Sequence, residues 1–313
     1  MSDAAAGSQA RTLDGKAVAQ SIRDEVARGV VELRERTGVA PGLTVVLVGQ
    51  NPASQVYVRN KEKAAAEVGM RSEVVRLPTN VSEGDLLARI DSLNADPQVH
   101  GILVQLPLPG GIDEHRVIEW LDPAKDVDGF HPVNVGRLSI GLPGLAPCTP
   151  AGIIELLRRY DIPLRGRHAV VVGRSNIVGK PMAQMLLREH CTVTICHSRT
   201  QDLDAVCALA DVLVVAAGKA GLIGGRAIRP GAVVVDVGMH SLTEESEVRR
   251  IFGDDPRRLK TLLDKGSALA GDVVQVEARE RAAWLTPVPG GVGPLTIALL
   301  LRNALDAART ALR

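Results

Sequence analysis

Aromatic residues are scarce, with two Trp, two Tyr and two Phe in 313 residues. A tyrosine found beside a chemically active side chain is therefore hard to read as filler. The four cysteines (Cys148, Cys191, Cys196 and Cys207) form no CxxC pair. A chain of this length needs no disulfide staples, so reduced thiols in a cytoplasmic protein are expected. No His, Cys and acid cluster has zinc spacing, which leaves no metal site to propose. The longest apolar runs, such as VLVVAA at 212–217, fall far short of the roughly 20 residues that cross a bilayer. Neither sign of charge dominates: the net charge of +1 argues against a field built for nucleic acid or an anionic membrane. The opening MSDAAAGSQA carries an acid and no apolar core region, so it reads as a frayed tail and not as a signal peptide.

What remains is an ordinary globular composition, 45% apolar and 23% charged, long enough for about two domains. Val18, Ile22, Val26, Val30 and Leu33 make a helical stripe within 14–36. LTVVLVG (43–49), EVVRLP (73–78) and GILVQLPLP (101–109) read as strands. A helix from about Ser54 to Val68 lies between the first two, and SEGD (82–85) resembles a capping box for another. Nearly continuous apolar strands separated by helices favour a parallel sheet covered on both faces. A Gly/Pro-rich polar stretch, 122–152, is too long for an idle loop. After a helix from about Pro150 to Tyr160, a second series follows: HAVVVG, a helix over 177–189, TVTIC, a helix near 201–209, DVLVVAAG and AVVVDVG. This is a doubly wound, dinucleotide-binding pattern. Residues 241–266 are charged and without a strand pattern, expected as a surface excursion with one helix at most, and 294–311 reads as an amphipathic helix.

Several motifs carry chemistry. Tyr57 and Lys61 lie four apart in ASQVYVRNKEKAAAEVG, which places both on one side of a helix. Short-chain dehydrogenases use the same Tyr-x-x-x-Lys spacing, but after the nucleotide-binding turn. Here the pair precedes that turn by more than a hundred residues, so the order excludes that reading. VVVGRSNIVGKP (170–181) is a strand, a Gly-rich turn and a helix start, where backbone N–H groups attract phosphate. Gly173 and Gly179 are six apart, outside the usual GxGxxG spacing, and the turn alone also suits a plain structural connection. The next strand ends in Cys196-His197-Ser198-Arg199, where an acid would suit the 2′-hydroxyl of NAD. Ser198 and Arg199, with Arg174 in the first turn, suit a 2′-phosphate and favour NADP, although Arg199 taken alone is also an ordinary exposed charge. Gln105 sits at the C-terminal end of its strand, the edge where α/β sheets bind ligands. Asp126 and Asp128 lie in a loop of turn formers and, taken alone, suit caps as well as a site. PGGVGP (289–294) is a stiff loop suited to lying against a flat ligand or to starting a helix.

Together these stretches resemble the bifunctional methylenetetrahydrofolate dehydrogenase/methenyltetrahydrofolate cyclohydrolase family. The matching segments, with PCTPAG, TVTICHSRT, ADVLVVAAGKAG, GAVVVDVG and TPVPGGVGP, run in the family's order from about 11 to 302. The resemblance implies two three-layer α/β domains with a cleft between them. An N-terminal parallel-sheet catalytic domain would take 1–148 and 286–313, and a Rossmann-like NADP-binding domain 149–285. It implies Lys61 as the catalytic lysine, Gln105 beside it and Asp128 holding the pterin. Tyr57 would stack on the folate's aminobenzoyl ring, with Val104, Leu106, Pro289 and Gly293 as further folate contacts. Gly173, Arg174, Ser175, Ser198, Met239 and Thr296 would contact NADP, joined by Arg199 from the reading of the strand end above. A cytoplasmic homodimer acting on tetrahydrofolate one-carbon derivatives, without metal, is also implied. The chain departs from the family in a longer segment after Met239. It also has GDVVQ (271–275) where GDVDF is typical, expected to alter the local surface.

The implied chemistry sets demands on these side chains. Hydride transfer from the one-carbon bridge needs mainly positioning. Hydrolysis of the resulting methenyl cation needs proton transfer, and Lys61 could supply it only as a neutral amine. Burial and the cationic intermediate favour that form, whereas an adjacent carboxylate opposes it. Gln105 is neutral, and Asp128 can accept paired N–H donors from the pterin edge. A monofunctional dehydrogenase and a non-catalytic dinucleotide-binding protein remain the alternatives.

Overall fold

In the computed structural model residues 9–313 are described, so most of the expected frayed tail lies outside the described residues. The strands are β1 (Arg11–Thr12), β2 (Gly42–Val48), β3 (Arg71–Leu77), β4 (Gly101–Val104), β5 (His168–Val172), β6 (Thr192–Cys196), β7 (Val212–Val215), β8 (Val233–Asp236), β9 (His240–Leu242), β10 (Ala268–Ala270) and β11 (Trp284–Leu285). Two compact units form, one from residues 9–18 with Thr149–Leu295 and the other from Ala19–Cys148 with Thr296–Arg313.

The unit containing Ala19–Cys148 is built on a three-stranded parallel sheet, β3-β2-β4. Every residue of β2 is buried, as its unbroken apolar run requires of a central strand. On one face Val46, Val48, Ile102 and Val104 pack against Leu86, Leu87, Ile90 and Leu93 of the helix Glu83–Ala95. Burying each such side chain contributes about 1.5–3 kcal/mol. That helix starts at Ser82, whose Oγ accepts from Asp85 N and donates to the Asp85 carboxylate, so only half of the expected capping box forms. β4 stops at Val104 because prolines at 107 and 109 cannot donate to a ladder.

The other unit carries a six-stranded sheet in the order β1-β11-β8-β7-β5-β6, with every pairing parallel. β5 lies between β6 and β7, so the chain reverses direction across the sheet there, a topological switch point. β1 pairs with β11 in this sheet, and β11 leads into 286–295. These segments therefore fall with the nucleotide-type unit, where sequence alone had assigned them to the catalytic one.

Two stretches hold more structure than their composition implied. Pro132–Ser139 is a helix inside the polar stretch 122–152, started by Pro132 and by a His131 ring nitrogen that accepts from Val133 N. The excursion after Met239 contains two helices, Glu245–Phe252 and Pro256–Lys265, flanked by the antiparallel pair β9 and β10. Its few apolar residues, Val248, Ile251, Phe252 and Leu262, converge with Ala268 and Ala270 in a core of their own. Val274 and Gln275 are buried, so the GDVVQ departure lies in the interior and not at the surface.

Candidate active site

Lys61 lies on the helix Pro52–Glu67, started by Pro52 and by Asn51, whose side chain accepts from Ser54 N at 3.1 Å. Ser54, Val58, Lys61 and Ala65 form its buried stripe, so helical spacing carries the lysine into an apolar face. Only 8% of Lys61 is exposed, whereas Tyr57, one turn earlier, is 40% exposed at the border of that stripe. Lys61 Nζ donates to Gln105 Oε1 at 3.0 Å. Gln105 follows β4 directly, its N–H donates to Val46 O, and its Nε2 donates to Leu106 O at 2.7 Å. That last bond fixes the amide so that its oxygen faces the lysine. Val104 is buried and Leu106 half-buried on either side of Gln105.

Asp128 reaches the same place through a short parallel bridge. Asp126 pairs with Ile102 of β4, and Ile102 N donates to Lys125 O at 2.7 Å, which lays 125–127 alongside that strand. Asp126 is buried and accepts from His131 N, Gly129 N and Asn134 Nδ2, so it organises the loop internally. Asp128 has no comparable set of donors. Its burial pushes the carboxyl up to about 6, with Lys61 opposing and Asp126 reinforcing the shift. The lysine and Asp128 thus interact electrostatically, a proximity the sequence had not placed between them.

Two further residues at this site were not singled out from sequence. Burial, then the Asp128 charge, pushes the Cys148 thiol well above its usual range, and its Sγ donates to Val127 O at 3.3 Å. Asn303, on the helix Gly293–Ala311, donates to Val127 O at 2.8 Å and to Ala146 O at 2.9 Å. It pins the loop that carries Asp128. A buried asparagine among the apolar residues of 295–308 was the available signal.

The second cluster belongs to the six-stranded unit. Gly173 ends β5 with φ +133°, a region open essentially to glycine, and a Cβ there would lie 2.2 Å from Ala216 O. A Cβ on Gly179 would lie 2.2 Å from Gly173 O. Ser175 Oγ accepts from Val178 N at 3.1 Å and Gly179 N at 3.3 Å, which starts the helix Gly179–Arg188 and leaves the hydroxyl proton free to donate. Arg174 is exposed beside it. Ser198 and Arg199 are exposed just after β6, where Arg199 N donates to His197 Nδ1 at 3.1 Å. Neither Arg174 nor Arg199 makes an ion pair among the described residues. The glycines leave a cradle at the switch point, and the unpaired guanidiniums and serine hydroxyls suit a phosphorylated dinucleotide.

Met239 is 46% exposed just beyond β8. Pro289 and Gly293 are exposed in the 286–293 stretch of this unit, and Thr296, half-buried, opens the second segment of the other. Among the described residues no group of three or more His, Cys, Asp or Glu side chains could hold a metal. Among the same residues no helix is long and apolar enough to cross a membrane.

Known proteins give matching findings. The tetrahydrofolate dehydrogenase/cyclohydrolase catalytic domain matches residues 13–128, and the NAD(P)-binding domain of the same name matches 147–312. The bifunctional protein FolD 1 of Rubrobacter xylanophilus is 53% identical over 300 residues, covering 96% of this chain and 98% of its own. The crystal structure of the bifunctional FolD methylenetetrahydrofolate dehydrogenase/cyclohydrolase from Campylobacter jejuni is 44% identical, with TM-score 0.87 over 96% of this chain and 99% of its own. The Trypanosoma brucei enzyme, solved with NADP cofactor and an inhibitor, is 40% identical, with TM-score 0.88 over 98% of this chain and 100% of its own.

Proposed function

The chain belongs to the tetrahydrofolate dehydrogenase/cyclohydrolase family, and on that premise we propose how its own residues run the two reactions. It oxidises 5,10-methylenetetrahydrofolate to 5,10-methenyltetrahydrofolate with NADP and hydrolyses that product to 10-formyltetrahydrofolate, a step in one-carbon metabolism. The observation that carries the assignment of roles is the buried Lys61 amine held 3.0 Å from a neutral amide, Gln105.

NADP, when bound, accepts a hydride from the one-carbon bridge. Gly173 and Gly179 give its phosphates close approach to the backbone. Ser175 donates its remaining hydroxyl proton, and Arg174, Ser198 and Arg199 take the 2′-phosphate. Met239, just beyond β8, adds a further cofactor contact. Tyr57 stacks on the aminobenzoyl ring of the folate, and Asp128 accepts two N–H donors from the pterin edge. Val104 and Leu106, on either side of Gln105, line the remainder of that site.

Hydrolysis begins with water adding to the methenyl carbon. Lys61, as neutral amine, takes one proton from that water and returns it to the ring nitrogen as the carbon–nitrogen bond opens, while the remaining hydroxyl proton leaves to solvent as the formyl carbonyl forms. Gln105 accepts a hydrogen bond from Lys61 without the charge that would hold it as ammonium. The family resemblance also supports a cytoplasmic homodimer, which sedimentation velocity would test.

The deciding experiment is Lys61→Met, assayed for both half-reactions. NADPH formation should persist at a substantial fraction of the wild-type rate while conversion of methenyl-folate to 10-formyl product is abolished. Hydrolysis at the wild-type rate in that variant would overturn the role of Lys61.

A further inference from the structure

The loop 216–221 leaves the C-terminal end of β7 at the sheet's switch point, beside the phosphate turn. Ala216 N donates to Val172 O at 2.7 Å, and Ala216 O is the atom that a Cβ on Gly173 would strike. Its backbone groups are not satisfied by the sheet beyond that point. Instead they are taken up by the excursion and the strand end that follows it. The buried Asp272 carboxylate accepts from Ala217 N at 2.7 Å, Gly218 N at 2.9 Å and Lys219 N at 2.9 Å. Gly221 N donates to Gly271 O at 3.0 Å. From the helix Glu245–Phe252, Arg250 donates to Ala220 O and Gly221 O, each at 3.2 Å. Ala220 itself packs on the excursion's own apolar core.

Asp272 is in turn held from two directions. Its N–H donates to Asp236 Oδ1 at 2.8 Å, which anchors its backbone to the end of β8. His240, the first residue of β9, lies 2.7 Å through Nε2 from Asp272 Oδ1. A carboxylate only accepts, so the tautomer that fits carries its proton on Nε2. Three backbone N–H groups and one imidazole N–H therefore converge on a single buried carboxylate. Removing one of these partners leaves the others less well fixed, because a buried acceptor organises all of them together.

We propose that the excursion after Met239 is a brace for the cofactor crevice, with His240, Arg250 and Asp272 as positioning residues that fix the 217–221 backbone and so set affinity for NADP. None of the three touches the cofactor in this proposal. They act through the loop, whose position against Gly173 decides the width of the crevice in which the dinucleotide lies. The brace also gives the segment a reason to fold around its own small core: Arg250 and His240 can hold a loop only if the elements carrying them are themselves rigid.

This proposal rests on the NADP reading above, and the test separates the two. NADP binding is titrated by calorimetry for wild type, His240→Ala, Arg250→Ala, His240→Gln and Arg249→Ala. Arg249 is on the same helix but pairs with Glu245 and Asp254, away from the loop. His240→Ala and Arg250→Ala should each raise the NADP dissociation constant by about 10-fold. The KM for methylenetetrahydrofolate should stay within about twofold. His240→Gln, which keeps an N–H donor of similar reach, should recover most of the affinity, and Arg249→Ala should bind as wild type does. Wild-type affinity in both alanine variants would overturn the brace. A cyclohydrolase loss equal to the loss of NADP affinity would mark general unfolding and overturn it as well. Wild-type protein that fails to bind NADP would remove the functional reading itself and, with it, this proposal.

Discussion

Gln105→Glu puts the assigned roles under the most direct strain. The substitution is nearly isosteric and replaces a neutral oxygen, 3.0 Å from Lys61 Nζ, with a charged one. At an effective dielectric constant of about 20, a charge pair at that separation attracts with about 5 kcal/mol. Solvent at the half-buried residue 105 screens part of this, leaving about 3–4 kcal/mol in favour of the ammonium form. In the proposed mechanism, a lysine held as ammonium cannot take a proton from water. Each 1.36 kcal/mol is tenfold, so hydrolysis should fall by roughly two to three orders of magnitude. Hydride transfer transfers no proton and should fall far less, roughly tenfold, from disturbed positioning alone. The assay follows NADPH formation and methenyl-folate disappearance in the same sample, and methenyl-folate should accumulate. The reasoning fails if the variant hydrolyses methenyl-folate at the wild-type rate, or if both activities fall together.

Three other expectations follow from the same geometry. With its carboxyl pushed up to about 6 from an ordinary 3.8, Asp128 is harder to ionise in the fold than in the unfolded chain. Its ionisation therefore opposes folding, with the cost absent below pH 3.8 and complete above about pH 6. Asp128→Asn should stabilise the protein by about 1–2 kcal/mol at pH 8 and leave it unchanged at pH 4, by thermal melts, while weakening folate binding at least tenfold. Arg199→Ala should raise the KM for NADP about tenfold and leave that for NAD unchanged; equal effects on both would remove the 2′-phosphate assignment. Gly173→Ala combines a disallowed φ of +133° with a 2.2 Å clash on Ala216 O, for a cost of about 2–5 kcal/mol. Gly231→Ala, at φ +81° with nothing within 4 Å, should cost only about 1–2 kcal/mol by chemical denaturation.

How much of this was legible beforehand depended on whether the signal was local. Parallel strands showed because central strands such as β2 are apolar at every position. The Gly-rich turn showed because only glycine fits where Ala216 and Gly173 meet. The excursion hides its structure because Val248, Ile251, Phe252 and Leu262 are too few and too interrupted by charge to announce a core. They become one only when two helices and a strand pair bring them together. The GDVVQ departure carries no mark of burial in the sequence, since glutamine is usually exposed. In the fold Gln275 is buried, with Nε2 reaching Asp236 Oδ2 at 3.3 Å. The proximity of Asp128 to Lys61 depended on the bridge between Asp126 and Ile102, a pairing no periodicity could reveal.

The four buried thiols give the protein a way of reporting on itself. Burial raises all four, to about 11 at Cys191 and about 12 at Cys207, so near neutral pH none offers a thiolate to an alkylating reagent in the native state. Labelling must wait for an opening event. Cys148 belongs to one compact unit and Cys191, Cys196 and Cys207 to the other. Site-resolved alkylation therefore clocks the opening of each unit separately, with no probe added to the sequence.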